Sequence, residues 1–378
     1  MNKKIYADHA ATTAIDPQVL EAMLPFFGDS YYNPSAIYPE ARTIKAMMEN
    51  ARQDLLNLIG GEAEGKIIFT GSGTESVNTA IHSAVNQAEN NKKRLLVSAA
   101  EHHAVLNCAN SLEQKKFTVE QLPVDRHGVV LPDTLKKCMG SDVILVSIMS
   151  VNNETGAIND TAALCQIAHR GGAMFHTDAV QALGVLQIAA KDMGADYISV
   201  SAHKVYGPKG IGALYAAPSA PITPLVYGGK QEEGARAGTE NTAAIAGFGC
   251  AVGILARQLK EDSLHLANLK RIFLEGISKI PDIIINSPPL GAPHIINISA
   301  KNIEAEHCLL RLSMAGILAS MGAACNASSV EPSHVVEVIG VPAEYKRGTL
   351  RFSFGRENTV EDVLYTAEEL ARVIEKLR

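Results

Sequence analysis

No two cysteines in the 378 residues stand at the spacing of a metal site or a redox motif. Cys108, Cys138, Cys165, Cys250, Cys308 and Cys325 are scattered, with no CxxC, which excludes a disulfide framework and fits free thiols in a reducing cytoplasm. An excess of positive charge is missing as well. The formal net charge is −6, so nothing in the balance points to nucleic acid or an anionic membrane surface. The opening MNKKIYADHA lacks the apolar core of a signal peptide. No uninterrupted apolar run approaches the ~18 residues that a membrane span needs. Internal repeats, low-complexity tracts and flexible linkers are absent too. What remains is ordinary for a globular chain, 47% hydrophobic and 20% charged. It is long enough for two domains, or for one large domain with a lobe.

The first helix is expected over 17–27, entered through Asp16 as N-cap with Pro17 in the first turn. A second follows over about 40–59. From Lys66 onward apolar strands (67–70, 94–98, 143–148, 173–176, 197–200) alternate with helical patterns such as 75–88, 104–114 and 161–170. That alternation implies βαβ units, hence an α/β fold with a mostly parallel sheet. A long helical connector over about 241–279, broken somewhere, leads to a smaller α+β region. There the pattern predicts strands at 283–285, 294–298 and 349–352 and helices at 304–312 and 360–377.

Ligands of open parallel sheets collect outside the carboxyl ends of the strands. Five strand exits are polar and carry glycine or histidine. Ser201-Ala202-His203-Lys204 ends one strand; its lysine is either a solvated turn residue or an amine able to form an imine with a carbonyl cofactor. Gly71-Ser72-Gly73-Thr74-Glu75-Ser76 opens a helix, as a plain cap or as a phosphate site made of backbone N–H groups and the Thr74 hydroxyl. It lacks the GK[ST] of a P-loop. Asp178 fits either a helix cap or the partner of a protonated pyridine nitrogen, with Gln181 in reach of the ring oxygen. In Glu101-His102-His103 an imidazole can stack on a flat cofactor. A metal is not expected, since no third ligand has suitable spacing. Cys325 lies among small residues (Gly322 to Ser329), as an exposed nucleophile would, whereas the other five cysteines read as inert. Arg351 alternates with apolar neighbours and so needs an inward anionic partner; Arg236, in a glycine loop, meets an anion or solvent.

In this order, with Tyr6-Ala7-Asp8-His9-Ala10-Ala11-Thr12-Thr13, Val151-Asn152-Asn153-Glu154-Thr155-Gly156 and Glu331-Pro332-Ser333-His334, the chain resembles the NifS/IscS-type cysteine desulfurases. These belong to the class V aminotransferase family of fold-type I pyridoxal phosphate enzymes. The resemblance covers nearly the whole length. It implies a large domain (15–260) with a seven-stranded sheet and a small domain (1–14 with 261–378) carrying the cysteine loop. It also implies pyridoxal 5′-phosphate, held by Lys204, with Gly73, Thr74, Ser201 and His203 at the phosphate and Thr239 supplied there by the second subunit of a homodimer. Asp178 then pairs the ring nitrogen, His102 stacks, and Gln181 and Asn153 contact the ring oxygen or substrate. Asn33 and Arg351 hold the carboxylate of L-cysteine, and Cys325 takes its sulfur as a persulfide for an acceptor protein. A cluster scaffold is not assumed as that acceptor, since the chain ends at Arg378 without the longer tail of some members. Another class V activity, aminotransferase or selenocysteine lyase, is the alternative, and an idle partner-binding protein a third. The chain departs from the family pattern at Tyr32, Tyr38, Gly73, Ala202, Glu233, Ala235 and Ala237.

Overall fold

The computed structural model describes residues 4–87, 92–322 and 332–378. Cys325 therefore lies outside the described residues. Twelve strands are described: β1 (Ile5–Tyr6), β2 (Lys66–Thr70), β3 (Arg94–Ser98), β4 (Thr118–Leu122), β5 (Val143–Ser147), β6 (Met174–Asp178), β7 (Tyr197–Ser201), β8 (Gly212–Ala216), β9 (Ile283–Ile285), β10 (Ile295–Ala300), β11 (Ile317–Leu318) and β12 (Thr349–Ser353).

Seven of them form one sheet in the order β2-β8-β7-β6-β5-β3-β4. Only β8 runs against its neighbours, antiparallel to both β7 and β2. β5, β7 and β8 are buried along their whole length, as strands covered on both faces must be. The period of two sorts their side chains: Ile67 and Phe69 face one core, Ile68 between them faces the other. Helix Gly73–Asn86 packs Val77 and Ile81 into the second of these. Where β8 begins, a Cβ on Gly212 would sit 2.6 Å from the carbonyl carbon of Ser72. Only glycine lets the strand pass so close under the turn that opens this helix.

Helix Thr242–Ile277 runs 36 residues without the expected break. Gly247 and Gly249 do not interrupt it, because each admits a neighbour; a Cβ at 249 would lie 2.7 Å from that of Ala51. Its first half packs Ala244, Ile245, Phe248 and Val252 into the large core, and its second half sends Leu266, Leu269, Phe273 and Ile277 into another. By length and composition this helix is apolar enough to cross a membrane, which a search for uninterrupted runs misses; 56% of the relevant window is buried within the protein, as in a core helix.

The other core is built on the antiparallel sheet β12-β10-β9 and on helix Val360–Leu377, which Thr359 and Asp362 start with a capping box. Strand β1 joins this part, pairing in parallel with β11, and Ile5 and Ala7 are buried there.

Candidate active site

The carboxyl ends of β2, β3, β5, β6 and β7 converge on a cavity of ≈ 270 Å³. Gly73, Thr74, His102, Asn153, Asp178, Gln181, Ser201, His203, Lys204 and Arg351 all line it. Two expected residues do not. Thr239 lines a separate recess beside Arg236 and Glu232. Asn33 sits in an exposed loop, where its Oδ1 accepts from the Ser35 N–H at 2.9 Å.

Lys204 ends a short 3₁₀ turn, Ala202–Lys204, directly after β7. Its Nζ donates to the carbonyls of Ala10 (2.5 Å) and Ala11 (2.7 Å). Asp178 is the last residue of β6, and its Oδ1 accepts from the Val180 N–H at 2.9 Å. Burial pushes its carboxyl up to about 6, against the pull of that N–H and of Lys204. His102 caps helix His103–Ser111 by accepting from the Ala104 N–H at Nδ1 (3.1 Å), so its Nε2 carries the proton. Burial, helped by the charges of Lys204 and His103, pushes this imidazole down to about 4. His203 is pushed to about 4 for the same first reason.

Ser72 caps helix Gly73–Asn86 by accepting from the Glu75 N–H. Its first turn faces the cavity beside Ser201 and His203. A Cβ on Gly73 would lie 2.9 Å from Cγ2 of Val180, so the glycine at this position is matched to that valine. Ala202 is accommodated in the same way, since Gly207 leaves out the Cβ that would meet it at 2.8 Å. Arg236 has an anion of its own, Glu75, at 2.9 Å. Arg351 is 1% exposed; it donates to the Asn153 carbonyl (2.7 Å) and to Asp8 Oδ1 (2.8 Å).

A family model, aminotransferase class-V, matches residues 5–365. The chain belongs to the class V aminotransferase family. It is 43% identical to the cysteine desulfurase IscS of Dictyoglomus turgidum over 380 residues, covering 100% of this chain and 96% of that protein. Against the cysteine desulfurase NifS of Azotobacter vinelandii the identity is 37%, covering 99% and 93%. Among solved structures, a NifS-like protein superposes with a TM-score of 0.92 at 32% identity, covering 99% of this chain and 100% of that one. A second, SspA in complex with cysteine, gives 0.83 at 34% identity, covering 94% and 100%.

Class V aminotransferases use pyridoxal 5′-phosphate, and the residues present fit it. The cavity has an anion-binding end, made by the first turn at Gly73 with Ser201 and His203, and an acidic end at Asp178. Lys204 and the neutral His102 stand in the same cavity. Such a set complements a phosphorylated, protonated pyridine carrying a carbonyl group.

Two carboxyls in this class V site were not expected to take part. Glu101 is fully buried; Oε1 accepts from the Met149 N–H at 2.6 Å, and Oε2 has no partner among the described residues. Burial, with the Asp178 charge added, holds it well above the usual carboxyl range, though the Met149 bond opposes this. Glu154 accepts from the Ser333 hydroxyl at 2.7 Å, and its Oε2 likewise has no described partner. Burial pushes Glu154 up to about 7, against the Ser333 bond and Arg351. Both stand inside sequence motifs, but only the fold shows that their surroundings are dry.

A raised carboxyl pKa has a definite sign in stability. Between about 4.5 and 7 the unfolded chain releases the Glu154 proton while the folded protein keeps it, so stability falls as pH rises through that window. Glu154→Gln is therefore expected to flatten the decline in melting temperature between pH 5 and 7.5, matching wild type at the acidic end and exceeding it at the basic end. Parallel melting curves for the two proteins would remove Glu154 as the source.

Proposed function

We propose that this protein is a pyridoxal 5′-phosphate–dependent cysteine desulfurase, which converts L-cysteine to L-alanine and passes the sulfur to Cys325. The observation that carries this reading is one cavity holding Lys204, Asp178 and His102 together with the inward Arg351. The relatives agree with it, the IscS and NifS cysteine desulfurases among them.

Arg351 holds the substrate carboxylate with its fork of donors, already aimed by Asp8 and the Asn153 carbonyl. Lys204 holds the cofactor, then takes and returns protons at Nζ, in reach of the Ala10 and Ala11 carbonyls. His102 presents a neutral ring with Nε2–H towards the cavity and can move a proton there. Asp178 becomes a full carboxylate once a cationic partner replaces the water it lacks, which stabilises a protonated ring nitrogen. When bound, pyridoxal 5′-phosphate supplies the electron sink for the charge left at the substrate Cα. The Cys325 thiolate attacks the substrate sulfur; an S–S bond forms, the Cβ–S bond breaks, and protonation of the remainder gives alanine.

In this reading the small unit (1–14 with 261–378) brings Arg351 and Cys325 to the cofactor site of the large one (15–260). Thr239, which stands apart from the cavity of its own chain, serves the phosphate of the partner in a homodimer, and Asn33 belongs to the substrate entrance. The Cys325 persulfide goes to an acceptor protein of a cytoplasmic iron–sulfur or thiolation pathway. The test is direct. The purified protein should show the visible absorbance of bound cofactor and, with cysteine and a thiol reductant, release alanine and sulfide in equal amounts. Alanine without sulfide, or no visible band, would overturn the reading.

A further inference from the structure

Behind the candidate active site lies a second, smaller cavity of ≈ 40 Å³, and Gln181 and Lys204 line both. His294 lines the smaller one from the entry to β10. His294 as a whole is 7% exposed, and its Nε2 lies 3.2 Å from Gln181 Oε1. The direction of this bond follows from its neighbours. The Ala10 carbonyl can only accept, so Gln181 turns its Nε2 amide to it, at 2.8 Å, and leaves only its oxygen for the imidazole. His294 must then donate from Nε2. The same Ala10 carbonyl takes the Lys204 Nζ at 2.5 Å. Three hydrogen bonds thus join His294, Gln181, Ala10 and Lys204.

We propose that His294 is a positioning residue: its Nε2–H fixes the amide of Gln181 and, through the Ala10 carbonyl, biases the protonation of the Lys204 nitrogen. The proposal rests on the reading of Lys204 as the cofactor-holding lysine. The mount is rigid, because the Phe354 N–H donates to the His294 carbonyl at 3.1 Å and Lys270 Nζ to that of Ala292 at 2.9 Å. The titratable groups around the ring are Lys270, Arg351, His9 and Lys204. Burial first, and then these charges, pushes the imidazole down to about 3, so it stays a neutral single donor throughout the working range. Without that donor the Gln181 amide can rotate, and the Ala10 carbonyl is left to Lys204 alone. An acceptor shared with fewer donors favours the protonated amine more strongly.

The experiment is a pH titration of the visible band of the holoenzyme. His294→Phe is expected to move its midpoint upward by about half a pH unit or more. His294→Gln keeps a donor within reach of residue 181 and is expected to restore the midpoint. In a Gln181→Leu background, adding His294→Phe is expected to cause no further shift, since the ring acts through that amide. Should the phenylalanine variant not fold, His294→Asn, too short to reach Gln181, is held to the same outcomes. An unmoved midpoint, or additive shifts in the double variant, overturns the positioning role while leaving the cofactor reading intact. A wild-type protein with no visible band overturns the cofactor reading and this proposal with it.

Discussion

Cys325→Ala is expected to lower sulfide release from cysteine by about 10³-fold or more while the visible band of the cofactor stays unchanged. The loss should be this large because no other thiol is placed to take over. None of the five described cysteines lines the cavity. Burial pushes Cys108 up to about 11 and Cys308 up to about 12, so both are protonated and unreactive at neutral pH. Cys165 is buried against His169, and Cys138 and Cys250, though only half-buried, are raised by desolvation as well. The cofactor should remain, since every residue assigned to holding it is untouched. A variant that still releases sulfide at the wild-type rate would mean that the sulfur leaves by a route without Cys325, and the desulfurase mechanism stated above would fall.

Asp178→Asn is expected to produce two effects of opposite sign. The amide keeps an oxygen to accept from the Val180 N–H and is the same size, so the local turn survives. The negative charge is lost, and with it the stabilisation of a protonated ring nitrogen; kcat should fall by about 10²–10³-fold, the usual cost of removing one preorganised electrostatic partner. The cofactor-free protein should respond the other way. Because burial raises Asp178 to about 6, its ionisation at pH 8 opposes folding, and removing that charge should raise the melting temperature there and not at pH 4. Equal melting temperatures at both pH values would show that Asp178 is better solvated than its place at the end of β6 indicates.

The strands that carry the site were readable because burial on both faces leaves unbroken apolar runs, as in Val143-Ile144-Leu145-Val146. Strand β4 was not: it forms the sheet edge, its Thr118, Val119, Glu120 and Gln121 are partly or fully exposed, and no pattern marks it. The connector reads as interrupted because glycine lowers helix propensity, yet Met23 and Ala51 fill the space its missing side chains leave. At the site, Arg351 announced its need for an anion by alternating with apolar residues, and the fold supplies Asp8, 343 positions away. Two described partners of Lys204 were beyond any such inference. They are backbone carbonyls at Ala10 and Ala11, about which side-chain letters say nothing. Glu101 and Glu154 escaped for a related reason, since a carboxyl looks the same in sequence whether water reaches it or not. The cysteine loop was legible only through its run of small residues, and lies outside the described part.

The pairing of β1 with β11 also sets an order of events during synthesis. Residues 5–11 leave the ribosome before the large sheet does, but the strand Ile5–Tyr6 has no β partner until Ile317 and Leu318 emerge. The Ala10 N–H waits longer still, for the Ser353 hydroxyl it meets at 2.8 Å. The carbonyls of Ala10 and Ala11 hold the amine of Lys204, and Thr12 and Thr13 tie their segment to His203 without waiting for either partner. The strand and the serine that brace this segment from the far side thus arrive after a lysine support that Thr12 and Thr13 can already set in place.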